Sequence, residues 1–318
     1  MNKRQLGNTE IYISEIAFGG VEIGMPYGIG INSEKDMLSE DKAVELLQIA
    51  SDSGINFFDT ARMYGNSERI MGKAFKDRRR KVVIASKCVP LLDKKGKLPP
   101  QKDIKGIIEK SLTESLEALQ TDYIDIYMLH QATMEILDSD EILNAFSDFK
   151  NQGIFKAAGV SSYTNEVSKK VIDSGFWNMI QLPFNLMDQR QGDLFEDAQK
   201  KGVGIVVRSV LLKGLLSDRG KNLHHALKDV ENHIAKYHVL LEGTNYKLPA
   251  LATKFALSFP EVSSVLVGID RQEYLEEALR TVDGVYLSKE KLDQARQLAY
   301  PEPDFINLPY WDKMKWLT

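Results

Sequence analysis

Asp59, Tyr64, Lys87 and His130 are the side chains of this sequence whose types and order suggest chemistry. Asp59 follows the apolar run INFF, Tyr64 comes a few residues later, Lys87 follows VVIAS and His130 follows YIDIYML. A carboxylate, a phenol, an ammonium and an imidazole brought together can move a proton to or from a carbonyl oxygen near neutral pH. Free tyrosine, with a pKa of about 10, is too weak an acid and too rarely ionised a base for this work. A lysine ammonium beside it favours the phenolate and lowers that value. Asp59 would hold Lys87 in place and protonated, and His130 would donate a hydrogen bond that orients the carbonyl. No step calls for a metal. The hydride of a carbonyl–alcohol interconversion must come from a cofactor, because no side chain supplies one.

The elements that must gather these four residues are legible as an alternation. Short β-rich runs occur at IAF (16–18), INFF (55–58), VVIAS (82–86), YIDIYML (123–129), FKAAGV (155–160), MIQL (179–182), GIVVR (204–208) and SSVLVG (263–268). Helical patterns lie between them. One begins near Ser39, a plausible cap, carries Ala43, Leu46, Leu47 and Ala50 on one face and stops at Gly54. Another runs through Ile70, Met71 and Phe75, and a long one bears Ile104, Ile108, Leu112, Ser115 and Leu119 as a buried stripe. Gly153, Gly175 and Gly202 read as later stops. Strands alternating with helices favour a parallel sheet, and eight of them in one chain of this length fit a closed (β/α)8 barrel. We therefore expect one barrel domain over residues 1–318. A hairpin at residues 5–14, turning at Gly7 and Asn8, should cap the barrel bottom, and a tail after Leu298 should lie over or beside the mouth. In such a barrel the C-terminal strand ends form one rim, the place where active sites of this architecture sit. All four polar residues fall there.

Composition limits the remaining possibilities. The 318 residues are 43% hydrophobic, enough for a large core, and carry a net charge of -4. The one basic run, DRRRK at residues 77–81, reads as a solvated turn, so no nucleic acid partner is expected. No apolar stretch of about 18 residues and no signal-peptide pattern is present, which predicts no membrane span and a cytoplasmic protein. The single cysteine, Cys88, excludes an internal disulfide and reads as a buried packing residue. His224, His225, His233 and His238 lie in a polar helical insertion without carboxylates on a shared face, and read as surface residues rather than metal ligands. The sequence does not speak to oligomeric state.

The segment GINFFDTARMYGNSERIMGKAF (54–75), with IASKC around Lys87 and DYIDIYMLH (122–130) ending in His130, resembles the aldo-keto reductase family, and the resemblance spans nearly the whole chain. It implies an oxidoreductase of the NAD(P)H-dependent type acting on CH–OH groups and carbonyls, whether aldehyde, ketone or sugar-like. Tyr64 would be the general acid/base, Lys87 and Asp59 would tune it, and His130 would orient substrate. The resemblance also implies cofactor contacts. In GVSSY (159–163), Ser161 and Ser162 correspond to residues near the nicotinamide carboxamide, and Gln181 to a residue that bonds the same amide. Arg208 and Ser209 stand where many members have a stacking tyrosine and its neighbour, followed by Leu211, Lys213 and Gly214 at the diphosphate loop. Gly268, Arg271, Tyr274 and Glu277 match the adenosine end. Tyr274 stands where the family often has an arginine and Asp270 adds a negative charge, with Arg271 a candidate clamp for a ribose phosphate; by the weight of the family, NADP(H) is favoured over NAD(H). Ala278 replaces the usual asparagine there.

Loops over the rim should set specificity. Residues 21–37, with Met25 and Tyr27, form the longest expected loop, residues 131–138 a second wall, and the tail contributes Phe305, Tyr310, Trp311 and Trp316. The mixed polarity of Arg208 and Gln131 suits polyhydroxylated or acidic carbonyl compounds as well as simple aldehydes. Two other readings stand beside the reductase. Some members of the family bind the cofactor as sensors or accessory subunits of ion channels with little turnover. A barrel isomerase or aldolase with Lys87 as a Schiff base is the other.

Overall fold

The computed structural model describes residues 1–31 and 33–317; Asn32, within the expected long loop, and Thr318, ending the tail, lie outside the described residues. Strands β1 (Lys3–Gln5) and β2 (Tyr12–Ser14) pair antiparallel. Eight more follow: β3 (Ile16–Gly19), β4 (Phe57–Asp59), β5 (Val83–Lys87), β6 (Ile124–Leu129), β7 (Phe155–Ser161), β8 (Met179–Pro183), β9 (Gly204–Arg208) and β10 (Val262–Gly268). Each pairs in parallel with the next, and β10 returns to β3, so the sheet closes. Helices separate the strands, giving the (β/α)8 barrel that the alternation predicts.

Alternation within the strands decides what the barrel holds. Ala17, Phe57, Ala85, Met128, Met179 and Val206 fill the interior, while Phe18, Phe58, Ile84, Tyr127, Ile180 and Val207 pack in the layer shared with the helices. Successive strand residues point to opposite faces. The inward row therefore continues from Phe57 to Asp59, from Ala85 to Lys87, from Met128 to His130, from Met179 to Gln181 and from Val206 to Arg208. Five polar side chains reach the mouth because each is two residues beyond an apolar interior position.

The outer layer is built from amphipathic helices. Helix Glu40–Asp52 buries Ala43, Leu46, Leu47 and Ala50, the i, i+3, i+4, i+7 stripe that faces the barrel. Gly54 follows at φ +100°, a left-handed conformation that ends the helix without strain. Full burial of a leucine such as Leu47 stabilises by about 1.5–3 kcal/mol.

The hairpin closes the bottom, turning at Gly7 and Asn8 as expected. Leu6 and Ile13 are fully buried and complete the interior core. Asn8 donates its N–H to the Gly202 carbonyl at 2.8 Å. Gly7 sits at φ +52°, and a Cβ there would lie 2.3 Å from that carbonyl oxygen, so only glycine allows the approach.

Two solvent-exposed readings change. In the basic run, Arg79 is nearly buried: it pairs with Asp125 at 2.8 Å, donates to the Tyr123 carbonyl at 3.0 Å and stacks on the Tyr123 ring. It ties β5 to β6 at the barrel bottom. His233 is also buried, with Nε2 2.8 Å from the Leu298 carbonyl and its ring edge-on to Tyr237 and Tyr300. Both are long or flat side chains whose role depends on a distant partner, which local polarity does not reveal. Cys88 is buried, and burial raises its thiol to about 11. Among the described residues no helix is long and apolar enough to cross a membrane, and no group of three or more His, Cys, Asp or Glu is arranged to hold a metal ion.

Truncating the plug should be costly. Leu6→Ala is expected to lower stability by roughly 2–5 kcal/mol, read from the midpoint of urea unfolding at unchanged slope; a loss under 1 kcal/mol would mean that the hairpin does not seal the interior.

Candidate active site

Lys87 is fully buried, and its ammonium has three acceptors for its three N–H bonds. It donates to Asp59 Oδ2 at 2.6 Å, to the Thr60 carbonyl at 2.9 Å and to the Tyr64 hydroxyl at 3.5 Å. Asp59, 3% exposed, accepts at its other oxygen from Gln181 Nε2 at 2.8 Å. The His130 ring stands edge-on to the Tyr64 ring at 5.4 Å between centroids. Strands β4, β5, β6 and β8 thus bring their ends to one network. Because lysine has no acceptor, Tyr64 must accept from it, and the phenolic hydrogen is left to point elsewhere.

Tyr64 lies on no strand, so a turn must hold it. That turn is interlocked with the segment after β3. Asn66 donates its N–H to the Gly24 carbonyl at 3.1 Å, and a Cβ on Gly24 would lie 2.0 Å from the Tyr64 carbonyl oxygen. Beneath it, Thr60 donates to the Ser67 hydroxyl at 2.8 Å. Glu68, buried at the start of helix Ser67–Phe75, accepts from Ser86 at 2.5 Å and pairs with Arg62. This polar clamp joins the Tyr64 turn to β5, beside Lys87.

Burial governs the electrostatics. It depresses Lys87 below an ordinary lysine, with Asp59 opposing. It raises Tyr64 well above 10, with Asp59 adding to the rise and Arg208 pulling it down. The expectation that Lys87 makes the phenol more acidic is therefore not met in the resting site: the ammonium is matched by Asp59, and loss of water outweighs what remains of its field. His130 is pushed down to about 3 by burial, then by Lys87 and Arg208. Its imidazole is neutral at pH 7 and can donate from one ring nitrogen.

The residues expected to touch a cofactor all lie on this rim, in varied states. Ser161 and Ser162 are buried, and the Ser162 hydroxyl is 2.5 Å from that of Ser168. Gln181 is spent in part on Asp59. Arg208 donates to the Ser162 carbonyl at 2.8 Å and to the Ser209 hydroxyl at 3.2 Å, and stacks on Tyr163. Beyond it the chain turns tightly, with Ser209, Leu212, Lys213 and Gly214 all at positive φ. Lys213 pairs with Asp312 of the tail helix Leu308–Lys313. The tail therefore docks at the rim, on the loop after β9. Gly268 ends β10, with the Glu22 carboxyl packed against it; a Cβ there would lie 2.1 Å from Glu22 Oε1. Arg271 is paired with Asp270 at 3.3 Å, and Glu277 is half-buried on helix Gln272–Thr281 with Tyr274.

Three residues of this cleft have no sequence motif. Glu22 is buried against Gly268, and burial raises it to about 8, with Asp270 and Asp59 adding to the rise. Tyr27 lies under the Lys213 ammonium. Arg219 donates to the Ile29 carbonyl at 3.1 Å and to the Tyr274 hydroxyl at 3.2 Å, linking the loops after β3, β9 and β10. Tyr274 is flanked by the Arg219 and Arg271 guanidinium groups at 5.6 and 5.0 Å. Lys213, Arg219 and Arg271 with two tyrosines form a donor set that suits a diphosphate carrying a flat base.

Comparison with known proteins finds relatives across the whole barrel. Residues 15–299 match the model of the Aldo/keto reductase family. An aldo-keto reductase of Bacillus halodurans in its holo form superimposes with a TM-score of 0.79 at 29% identity, covering 94% of this chain and 96% of that one. L-Galactose dehydrogenase of Arabidopsis thaliana is 29% identical over 94% of each chain. An uncharacterized oxidoreductase of Bacillus subtilis is 28% identical over 92% of this chain and 94% of its own.

The pH dependence follows from the two directions. With Tyr64 as the candidate acid/base, a phenol held above 10 is protonated throughout the neutral range. It should therefore add no inflection to carbonyl reduction from about pH 6 to 9, where only Glu22, raised to about 8, titrates in the cleft, and alcohol oxidation, which needs the phenolate, should rise with pH. His130, neutral above about 3, should add no inflection near 6.5. Steady-state kcat/KM profiles in both directions check this; a reductive rate that falls above pH 7 in Glu22→Gln as it does in wild type would contradict it.

Proposed function

The chain belongs to the aldo/keto reductase family, and from that membership we propose that it interconverts a carbonyl compound and its alcohol with a nicotinamide dinucleotide, Tyr64 serving as general acid/base. The observation that carries the reading is the saturated Lys87 ammonium, bonded to Asp59 and Tyr64 at the mouth. With its acceptor side taken by Lys87, the Tyr64 hydroxyl is free to give its proton to a substrate oxygen, and His130 donates a second hydrogen bond to the same oxygen. The cofactor, when bound, supplies or takes up the hydride. Lys87 then steadies the phenolate left after proton transfer, and Asp59 keeps the ammonium charged and aimed.

In the same reading Ser161, Ser162 and Gln181 hold the carboxamide of the cofactor, and Ser209, Leu211, Lys213 and Gly214 line its diphosphate. Gly268, Arg271, Tyr274 and Glu277 take the adenosine. NADP(H) is favoured over NAD(H), supported by the two guanidinium groups that flank Tyr274, of which Arg219 forms no ion pair among the described residues. A phosphate dianion is the partner that such a pair selects. The chain acts in the cytoplasm on a small-molecule substrate.

Turnover of 4-nitrobenzaldehyde with NADPH tests the reaction. Tyr64→Phe and Lys87→Met should each lower the rate by about 10²–10⁴ while cofactor affinity, followed by protein fluorescence, stays near that of the wild type. Tight cofactor binding without wild-type turnover would point instead to a sensor or accessory subunit. Separately, Arg271→Ala and Arg219→Ala should each weaken NADPH binding by roughly tenfold and leave NADH nearly unchanged; equal losses for both cofactors would remove the case for a ribose phosphate.

A further inference from the structure

Arg208 ends β9 in the inward row. Its guanidinium is held by the Ser162 carbonyl, the Ser209 hydroxyl and the Tyr163 ring, all neutral, and Nε is buried without a partner. It forms no ion pair among the described residues, unlike Arg4, Arg62, Arg79, Arg190 and Arg271. Its charge reaches Tyr27, Tyr64, Lys87 and His130, the groups around the mouth. Asp59 is already engaged by Lys87 and Gln181 and does not neutralise it. Glu22, across the cleft, is held protonated near neutral pH by burial. In a protein of net charge -4 the mouth is therefore locally positive.

A half-buried, unpaired cation costs free energy that an anionic partner recovers. Simple aldehydes offer it nothing. Resting on the reductase reading above, we infer that the physiological substrate is a carbonyl compound bearing a carboxylate, and that Arg208 binds that carboxylate while Tyr64 and His130 hold the carbonyl oxygen. Arg208 is then a specificity residue for the reaction. Tyr163, half exposed and stacked on the guanidinium, supports its plane from the solvent side.

The test compares acids with their methyl esters, which keep the carbonyl and remove the charge. Phenylglyoxylate and 4-carboxybenzaldehyde, with the carboxylate next to the carbonyl and across a ring from it, are each assayed against the ester at low ionic strength. For wild type, kcat/KM should favour the acid by tenfold or more in at least one pair. Arg208→Gln should bring that ratio close to one, Arg208→Lys should retain part of it, and added salt should shrink it. Esters turned over as well as acids by wild type, or an acid preference that survives Arg208→Gln, would overturn the inference. So would an unchanged ratio in Arg208→Gln accompanied by a shift in the relative affinity for oxidised and reduced cofactor, which would assign the guanidinium to the nicotinamide ring. Failure of the reductase reading itself looks different: wild type would then turn over none of the four compounds, or Tyr64→Phe would leave turnover of all four intact.

Discussion

A buried ammonium with three acceptors is the constraint on which the rest depends. Lys87 is out of water, and removing either member of its pair with Asp59 would leave an uncompensated charge, at a cost of about 3–5 kcal/mol. The barrel meets that demand by geometry: β4 supplies Asp59, the residue after it supplies the Thr60 carbonyl, and β8 supplies Gln181 to finish the carboxylate. Strands β4, β5 and β8 must be in register for all of these bonds to form at once. The network is thus both a consequence of barrel closure and a reason for its register to be unique.

Much of this was legible in the sequence because it follows period-two alternation. An apolar interior residue fixes the direction of the residue two places on, so Phe57, Ala85 and Met128 announce Asp59, Lys87 and His130. The eight strands were legible for the same reason. Tyr64 was legible only through its motif, since no strand carries it and its position depends on the interlocking of Gly24 with the Tyr64 carbonyl. What could not be read were pairings between loops. Nothing local announces that Arg219 would join Ile29 to Tyr274, or that Asp312 in the tail would meet Lys213. From sequence Gln181 reads as a ligand contact, yet in the structure its amide donates to Asp59, a partner that spacing does not reveal.

The rim shows a second division. On the side of β4 to β6 each charge is matched within the protein, whereas around β9 and β10 the matching is incomplete. Among the described residues Arg208 and Arg219 form no ion pair, and burial raises Glu22 to about 8, so near neutral pH this side presents positive potential. Low local dielectric magnifies such an imbalance, which is worth more to a ligand here than on the open surface. In the proposed reaction the matched side carries the proton transfer, where stray charge would misdirect the proton, and the unmatched side offers partners to anionic groups.

Why a phenol whose acidity burial weakens can still be a proton donor is answered by direction rather than by pKa alone. An ammonium only donates, so the Tyr64 oxygen must use a lone pair on Lys87, and its hydrogen cannot be spent in that bond. In the proposed reaction that hydrogen is left for the substrate oxygen, beside the neutral His130 ring that stands edge-on to Tyr64. Ordering that a flexible phenol would have to acquire on binding is already present. When the proton leaves, the phenolate is 3.5 Å from a cation that had contributed little while the phenol was neutral. The Lys87 contact thus gains strength as charge develops, which is the condition for an interaction to favour the transition state over the ground state.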